Sequence, residues 1–216
     1  IKGLFVARGK YFVISRGRQY GKTTTLMALA EYLKKDYLVV SMDFQMMGSA
    51  SFADEQAFVI AFIEYLEELF TGRSDFSGIT ETEAFLDLTQ LKEKERISLD
   101  KLFRGLSRIC ERSESPLVLM IDEVDSASNH PVFLDFLAML RGYYLNRDYR
   151  PTFHSVILAG MYDIKNLKLK MRPEEEHKYN SPWNIAADFD INMNFSVDEI
   201  QAMLQEYEAD YHTGMD

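Results

Sequence analysis

Tyr11-Phe12-Val13-Ile14-Ser15-Arg16-Gly17-Arg18-Gln19-Tyr20-Gly21-Lys22-Thr23-Thr24 runs from an apolar stretch through a glycine-bearing turn into a helical pattern. The pattern continues to residue 35, with Leu26, Leu29, Ala30 and Leu33 on one face. Strand, glycine turn and helix form the setting in which Gly-Lys-Thr can hold phosphate. The N–H groups of such a turn and the positive end of the helix dipole both attract phosphate oxygens. In that geometry Gly21 lets the backbone come close, Lys22 reaches the β and γ phosphates, and the Thr23 hydroxyl is a Mg²⁺ ligand. Gly17, Arg18, Gln19, Tyr20 and Thr24 complete the expected nucleotide-contacting set. In the pattern G-x-x-x-x-G-K-[ST] the first glycine falls at Arg16, whereas here it is the neighbouring Gly17. The loop entrance is therefore expected to turn one residue later. The competing reading is a basic turn with no ligand.

Further along, Pro116 to Ile121 is a second apolar run, unbroken and so expected to be buried on both faces. It ends in Asp122-Glu123-Val124-Asp125. An aspartate at the C-terminal end of a buried strand is placed to hold Mg²⁺. Such a strand-end carboxylate is expected to lie outside the core. The adjoining Glu123 can orient and polarise an attacking water, which a hydrolase needs. Asp125 reads as a helix cap or a solvated side chain. The nucleotide is expected to be ATP, because the guanine signature Asn-Lys-x-Asp does not occur. His130, His154, His177 and His212 are scattered without ligand spacing, so no metal other than Mg²⁺ is implied.

Outward from these two segments, short apolar runs alternate with longer helical patterns, as in a layered α/β domain built on a parallel sheet. Residues 37–42 read as a strand, 155–159 as a fourth and 188–195 as a fifth. Helices are expected over 99–112 and 133–145, and behind Ser51 and Asp54, which resemble a capping box. In that last helix Phe58, Ala61, Phe62, Tyr65, Leu66 and Leu69 share a face. Ser196 and Glu199 form another capping box, opening a helix to about residue 208. Residues 71–97 look irregular, with a short helix over 83–91. They are expected to bury few apolar side chains and to be more mobile than the strands.

The 216 residues suit one domain, and 47% hydrophobic content with 27% charged is enough to bury a core. The organisation read here is a core over 1–208 carrying 71–97 as an insertion, with 209–216 beginning a lid or linker. The opening at Ile1 and the ending at Asp216 suggest a piece of a longer chain. The single cysteine, Cys110, allows no disulfide framework and sits among Leu106 and Ile109 as a packing residue, which fits a reducing, cytoplasmic setting. No apolar run is long enough to cross a bilayer. The net charge of -10 disfavours direct nucleic-acid binding, yet residues 1–35 hold eight basic side chains against Glu31 alone. A basic pole around one loop suits a small polyanion.

Arg18 to Thr24, Ile121 to Asp125 and Ser181-Pro182-Trp183-Asn184-Ile185-Ala186-Ala187-Asp188-Phe189 together resemble the AAA-ATPase-like proteins of anaerobic and gut bacteria. These are similar to archaeal-type ATPases of the AAA/STAND group. The resemblance implies a three-layer P-loop core whose parallel sheet of about five strands is ordered 5-1-4-3-2. It also implies a sensor after the fourth strand, where Tyr162 or Asp163 stands. A lid, a nuclease-like domain and homo-oligomers are further features of that group. Arg141, Arg147, Arg150 and Arg172 are the candidates for an arginine finger, and Trp183 is read as a packing residue. The leading functional expectation is a Mg²⁺-ATPase driving a conformational or assembly step, slow as this chain alone. A nucleotide-dependent switch with negligible turnover and an ATPase module of a DNA-handling protein are the alternatives.

Overall fold

The computed structural model describes residues 1–17, 19–161 and 183–214. Four strands form one parallel sheet: β1 (Tyr11–Ser15), β2 (Leu38–Asp43), β3 (Leu117–Asp122) and β4 (Ser155–Gly160), in the order β1-β4-β3-β2. Alternate residues of each strand feed opposite cores, as the period of two requires. Phe12, Ile14, Val39, Val118, Met120, Ile157 and Ala159 pack against Leu26, Leu29, Ala30 and Leu33 of α1 (Lys22–Leu33). Tyr11, Val13, Val40, Leu119, Ile121, Val156 and Leu158 face the other way. They meet α2 (Glu55–Phe70), α5 (Leu99–Arg112) and α6 (Pro131–Leu145), which gives three layers. Phe44, Phe58, Phe62, Phe133 and Phe136 interlock there, each worth roughly 1.5–3 kcal/mol on full burial. Six residues of β3 and six of β4 are buried without interruption, so the crossed layers cover both faces.

Helix starts follow capping chemistry. The capping residue of α2 is Asp54, whose carboxylate accepts from the Ala57 N–H, while Ser51 lies in a preceding 3-10 turn. The expected Ser51–Asp54 box is thereby replaced by a single aspartate cap. Ser98 caps α5, and Pro131 opens α6. The Ser196–Glu199 box is present and starts α7 (Val197–Tyr211).

Two sequence expectations change. In the stretch 71–97 the short helix expected over 83–91 is present as α4 (Glu83–Thr89), after α3 (Ser77–Thr80), but Phe76, Ile79, Ala84, Phe85 and Leu88 join the main core. Phe76 stacks on Phe70 with ring centroids 4.3 Å apart. Few apolar contacts were expected of it because helices this short cannot display a 3.6-residue period. The fifth strand reduces to one parallel bridge, Phe12 with Ala187, in which the Ala187 N–H donates to the Tyr11 carbonyl (2.8 Å). It lies beside β1, where the implied order puts strand five. Past it, Phe189, Ile191 and Met193 pack on the sheet while Asp188, Asp190 and Asn192 face solvent. The alternation survives, but Asp and Asn are poor strand formers and no ladder forms.

Candidate functional site

The C-terminal ends of the parallel strands gather the sequence-predicted residues along one edge, as open α/β sheets do. Between Ser15 and α1 the chain makes its loop with left-handed backbone at Gln19 (φ 63°) and at Gly21 (φ 67°). Gly21 supplies that conformation at little cost; Gln19 adopts it against its side chain. Gly21 is also the N-cap of α1, and no side chain caps the helix. The first-turn N–H groups therefore remain for an external acceptor.

Lys22 is 6% exposed, and its Nζ donates to the Gly17 carbonyl at 3.1 Å, across the loop. Among the described residues no carboxylate pairs with it. A buried ammonium served by one neutral carbonyl is under-compensated, and an anion entering the loop would relieve it. The Thr23 hydroxyl donates to Asp122 Oδ2 at 2.6 Å, bringing the first segment and the acidic strand end into direct contact. Asp122 is only 7% exposed, so the expectation of a carboxylate outside the core is corrected: β2 and β4 flank it on either side. Its Oδ1 accepts from the Glu123 N–H at 2.9 Å. A hydroxyl and a carboxylate meeting at this distance are the hard oxygen donors that Mg²⁺ prefers, so the set fits that ion.

Glu123 is half-buried and left-handed, with φ 50° and ψ 41°. For a residue with a Cβ this conformation is uncommon and is found at constrained sites. A 3-10 turn over Val124–Ser126 follows it. Asp125 does not float in solvent; its Oδ2 accepts from the Met161 N–H just beyond β4. That contact was missed in the sequence, because only the β3–β4 register creates it.

The loop entrance departs from expectation. Gly17 has no positive φ, so it does not take over the turn from position 16. Instead, a Cβ there would lie 3.3 Å from the Tyr20 ring, which packs over it and is 60% exposed. Arg16 is engaged elsewhere. Its N–H continues the β1–β4 ladder to the Gly160 carbonyl (3.1 Å), and its guanidinium donates to the Ile191 carbonyl (3.1 Å). Thr24 is exposed in the first turn of α1. Arg18, Tyr162, Asp163, Arg172, Ser181 and Pro182 lie outside the described residues.

Two finger candidates sit at the N-terminal end of the strands, opposite the site. Arg147 donates to the Gly9 carbonyl, ahead of β1, and lies over the Tyr144 ring; Arg150 lies over Tyr143. Arg141 donates to Asn184. Trp183 is fully buried and stacks on Tyr11. Among the described residues there is no cluster of three metal-ligating side chains, and no helix is long and apolar enough to cross a membrane.

A comparison with curated proteins finds no match. Among solved structures, the fold is similar to the Walker-type ATPase of Pyrococcus abyssi, with TM-score 0.63 and 16% identity over 99% of this chain and 56% of that one. It is also similar to the ORC1 protein of Aeropyrum pernix solved with DNA, with TM-score 0.48 and 12% identity over 93% and 44%. The chain thus spans about half the length of these structures. Residues 4–215 match the AAA-like domain family, which takes in nearly the whole fold and every strand end described above. On that match, the chain belongs to the AAA-like domain family of P-loop ATPases.

Proposed function

We propose that residues 1–208 form an ATPase core that binds Mg-ATP at the Lys22 loop and hydrolyses it, driving a conformational or assembly step in a larger cytoplasmic protein. The observation that carries this reading is the buried Lys22 ammonium, held only by the Gly17 carbonyl among the described residues, beside the Thr23–Asp122 pair. The uncapped N-terminus of α1 and the left-handed pair Gln19 and Gly21 supply N–H donors for the α and β phosphates. Lys22 exchanges the Gly17 carbonyl for a β/γ oxygen, a charge-assisted contact. Thr23 and Asp122 would hold Mg²⁺, which when bound neutralises charge on the transferring phosphoryl group. Glu123, at the end of β3, orients the attacking water and takes up its proton.

Turnover by the chain alone is expected to be slow. Arg147 and Arg150 are at the N-terminal end of the strands and Arg141 is occupied by Asn184, so none of the three stands ready to meet transition-state charge. An arginine finger is worth about 10³–10⁵ in rate in comparable sites.

The test is calorimetric titration of Mg-ATP into wild type and Lys22→Ala. Loss of one charge-assisted contact, about 1.5–3 kcal/mol, weakens binding roughly 10- to 150-fold. Equal affinities would remove the site from the Lys22 loop.

A further inference from the structure

Glu123 and the phosphate loop are not on neighbouring strands. Glu123 follows β3, the loop follows β1, and β4 runs between them. The Thr23–Asp122 contact ties the base of the strand end to α1, and beyond Asp122 the lateral distance from the carboxylate to the loop depends on what ties each of them to the end of β4. On the loop side two contacts do so: the Arg16 N–H donates to the Gly160 carbonyl (3.1 Å), and the Ser15 hydroxyl to the Met161 carbonyl (3.4 Å). On the other side, Asp125 Oδ2 accepts from the Met161 N–H. The same two residues, Gly160 and Met161, thus hold both parts of the site.

The turn bearing Glu123 is internally stiff. The Glu123 carbonyl accepts from the Ser126 N–H (3.1 Å) and the Ser126 hydroxyl (2.8 Å). The Asp125 carbonyl accepts from the Ser128 N–H (3.2 Å) and the Ser128 hydroxyl (2.7 Å). A turn this cross-linked moves as one piece, so pinning Asp125 pins Glu123. Gly160 is cut to fit this pin: a Cβ there would come within 2.9 Å of both Asp125 Oδ2 and Val124 Cγ2. A side chain at position 160 would force the Asp125 carboxylate or the Val124 side chain out of its present place.

We propose that Asp125 is a positioning residue that clamps the Glu123 turn to the end of β4 and so sets the spacing between the water-orienting carboxylate and the phosphates. The inference rests on the reading of Glu123 given above. A displacement of about 1 Å in a reacting group costs on the order of 10²-fold in rate. Asp125→Ala should therefore lower kcat by about 10- to 100-fold while ATP affinity changes less than about 3-fold. Asp125→Asn keeps an acceptor oxygen for the Met161 N–H and should restore most of the rate. Gly160→Ala drives the turn away from the other side and should reproduce the Asp125→Ala defect.

The experiment is phosphate release and ATP calorimetry on the three variants, with amide hydrogen exchange on the same samples. Unchanged kcat in Asp125→Ala overturns the proposal. So does a parallel fall in kcat, affinity and melting temperature that Asn does not rescue, since that marks a merely structural aspartate. Wild type without turnover defeats the functional reading before any variant is made, and exchange then judges the clamp. Amides of 123–126 and of Met161 exchanging about 10-fold faster together in Asp125→Ala uphold it. A change confined to Met161 sinks it.

Discussion

Replacing Asp122 by asparagine separates the fold from the chemistry, and the structure sets the size of each effect. The carboxylate makes two contacts, Oδ1 with the Glu123 N–H (2.9 Å) and Oδ2 with the Thr23 hydroxyl (2.6 Å). Asparagine can keep both: its carbonyl accepts from Glu123 and its NH₂ donates to the Thr23 oxygen. Each contact then falls from charge-assisted, about 1.5–3 kcal/mol, to neutral, about 0.5–1.5 kcal/mol. Relief from burying an ionised group at 7% exposure works the other way. The net loss of stability should stay within about 2 kcal/mol, a melting shift under roughly 8 °C for a chain of this size. Mg²⁺ sees a different change, because no rotation of the amide restores the negative charge. The loss of one charge-assisted partner, about 1.5–3 kcal/mol, raises the Mg²⁺ needed to support ATP binding roughly 10- to 150-fold. The assay is ATP calorimetry across a Mg²⁺ series, with thermal melts of the same samples. Asp122→Ala serves as the contrast, since it leaves the Glu123 N–H orphaned and should melt lower than the asparagine variant. Superimposable Mg²⁺ curves for wild type and Asp122→Asn would refute the reasoning and leave Asp122 as a structural tie.

Three other outcomes are expected. Glu123→Gln should abolish phosphate release and spare ATP binding; wild-type turnover near 1 s⁻¹ or faster, within the ordinary enzyme range, would show that a cation already completes the site. Phe76→Ala should cost about 3–5 kcal/mol in a denaturant melt, because the ring is fully buried and stacked on Phe70; a loss under about 1 kcal/mol would return 71–97 to the status of a loose insertion. Desolvation pushes the half-buried Cys110 thiol up to about 12, so at pH 8 it should react with a disulfide reagent more slowly in the native than in the unfolded chain, and equal or faster native labelling would contradict its packed setting.

What could be read from sequence follows the range of the interactions involved. Gly21-Lys22-Thr23 and Asp122-Glu123 are legible because a loop between strand and helix, and a polar end to an apolar strand, are local patterns with local causes. The split of β1 to β4 into two buried faces is legible for the same reason. Residues 188–193 mislead because side-chain alternation reports which face is buried, not whether backbone ladders form. Phe189, Ile191 and Met193 satisfy the first without the second. The four residues of α3 end before a period can be counted, whereas the short helix expected over 83–91 is present as α4. Asp125 and Arg16 escape because their partners, Met161 and Ile191, are distant in sequence and meet them only through sheet order.

The left-handed backbone of Glu123 sets two selective demands against each other at one position. For a side chain with a Cβ that conformation costs about 1–2 kcal/mol, and glycine would release most of it. Glycine would also delete the carboxylate. A lineage that kept the fold and the nucleotide but no longer needed hydrolysis would gain stability by losing the glutamate, and its descendants should drift toward glycine or asparagine there. If Glu123 orients the attacking water as proposed, the residue at this position among relatives is a record of whether turnover is still under selection, readable by counting sequences.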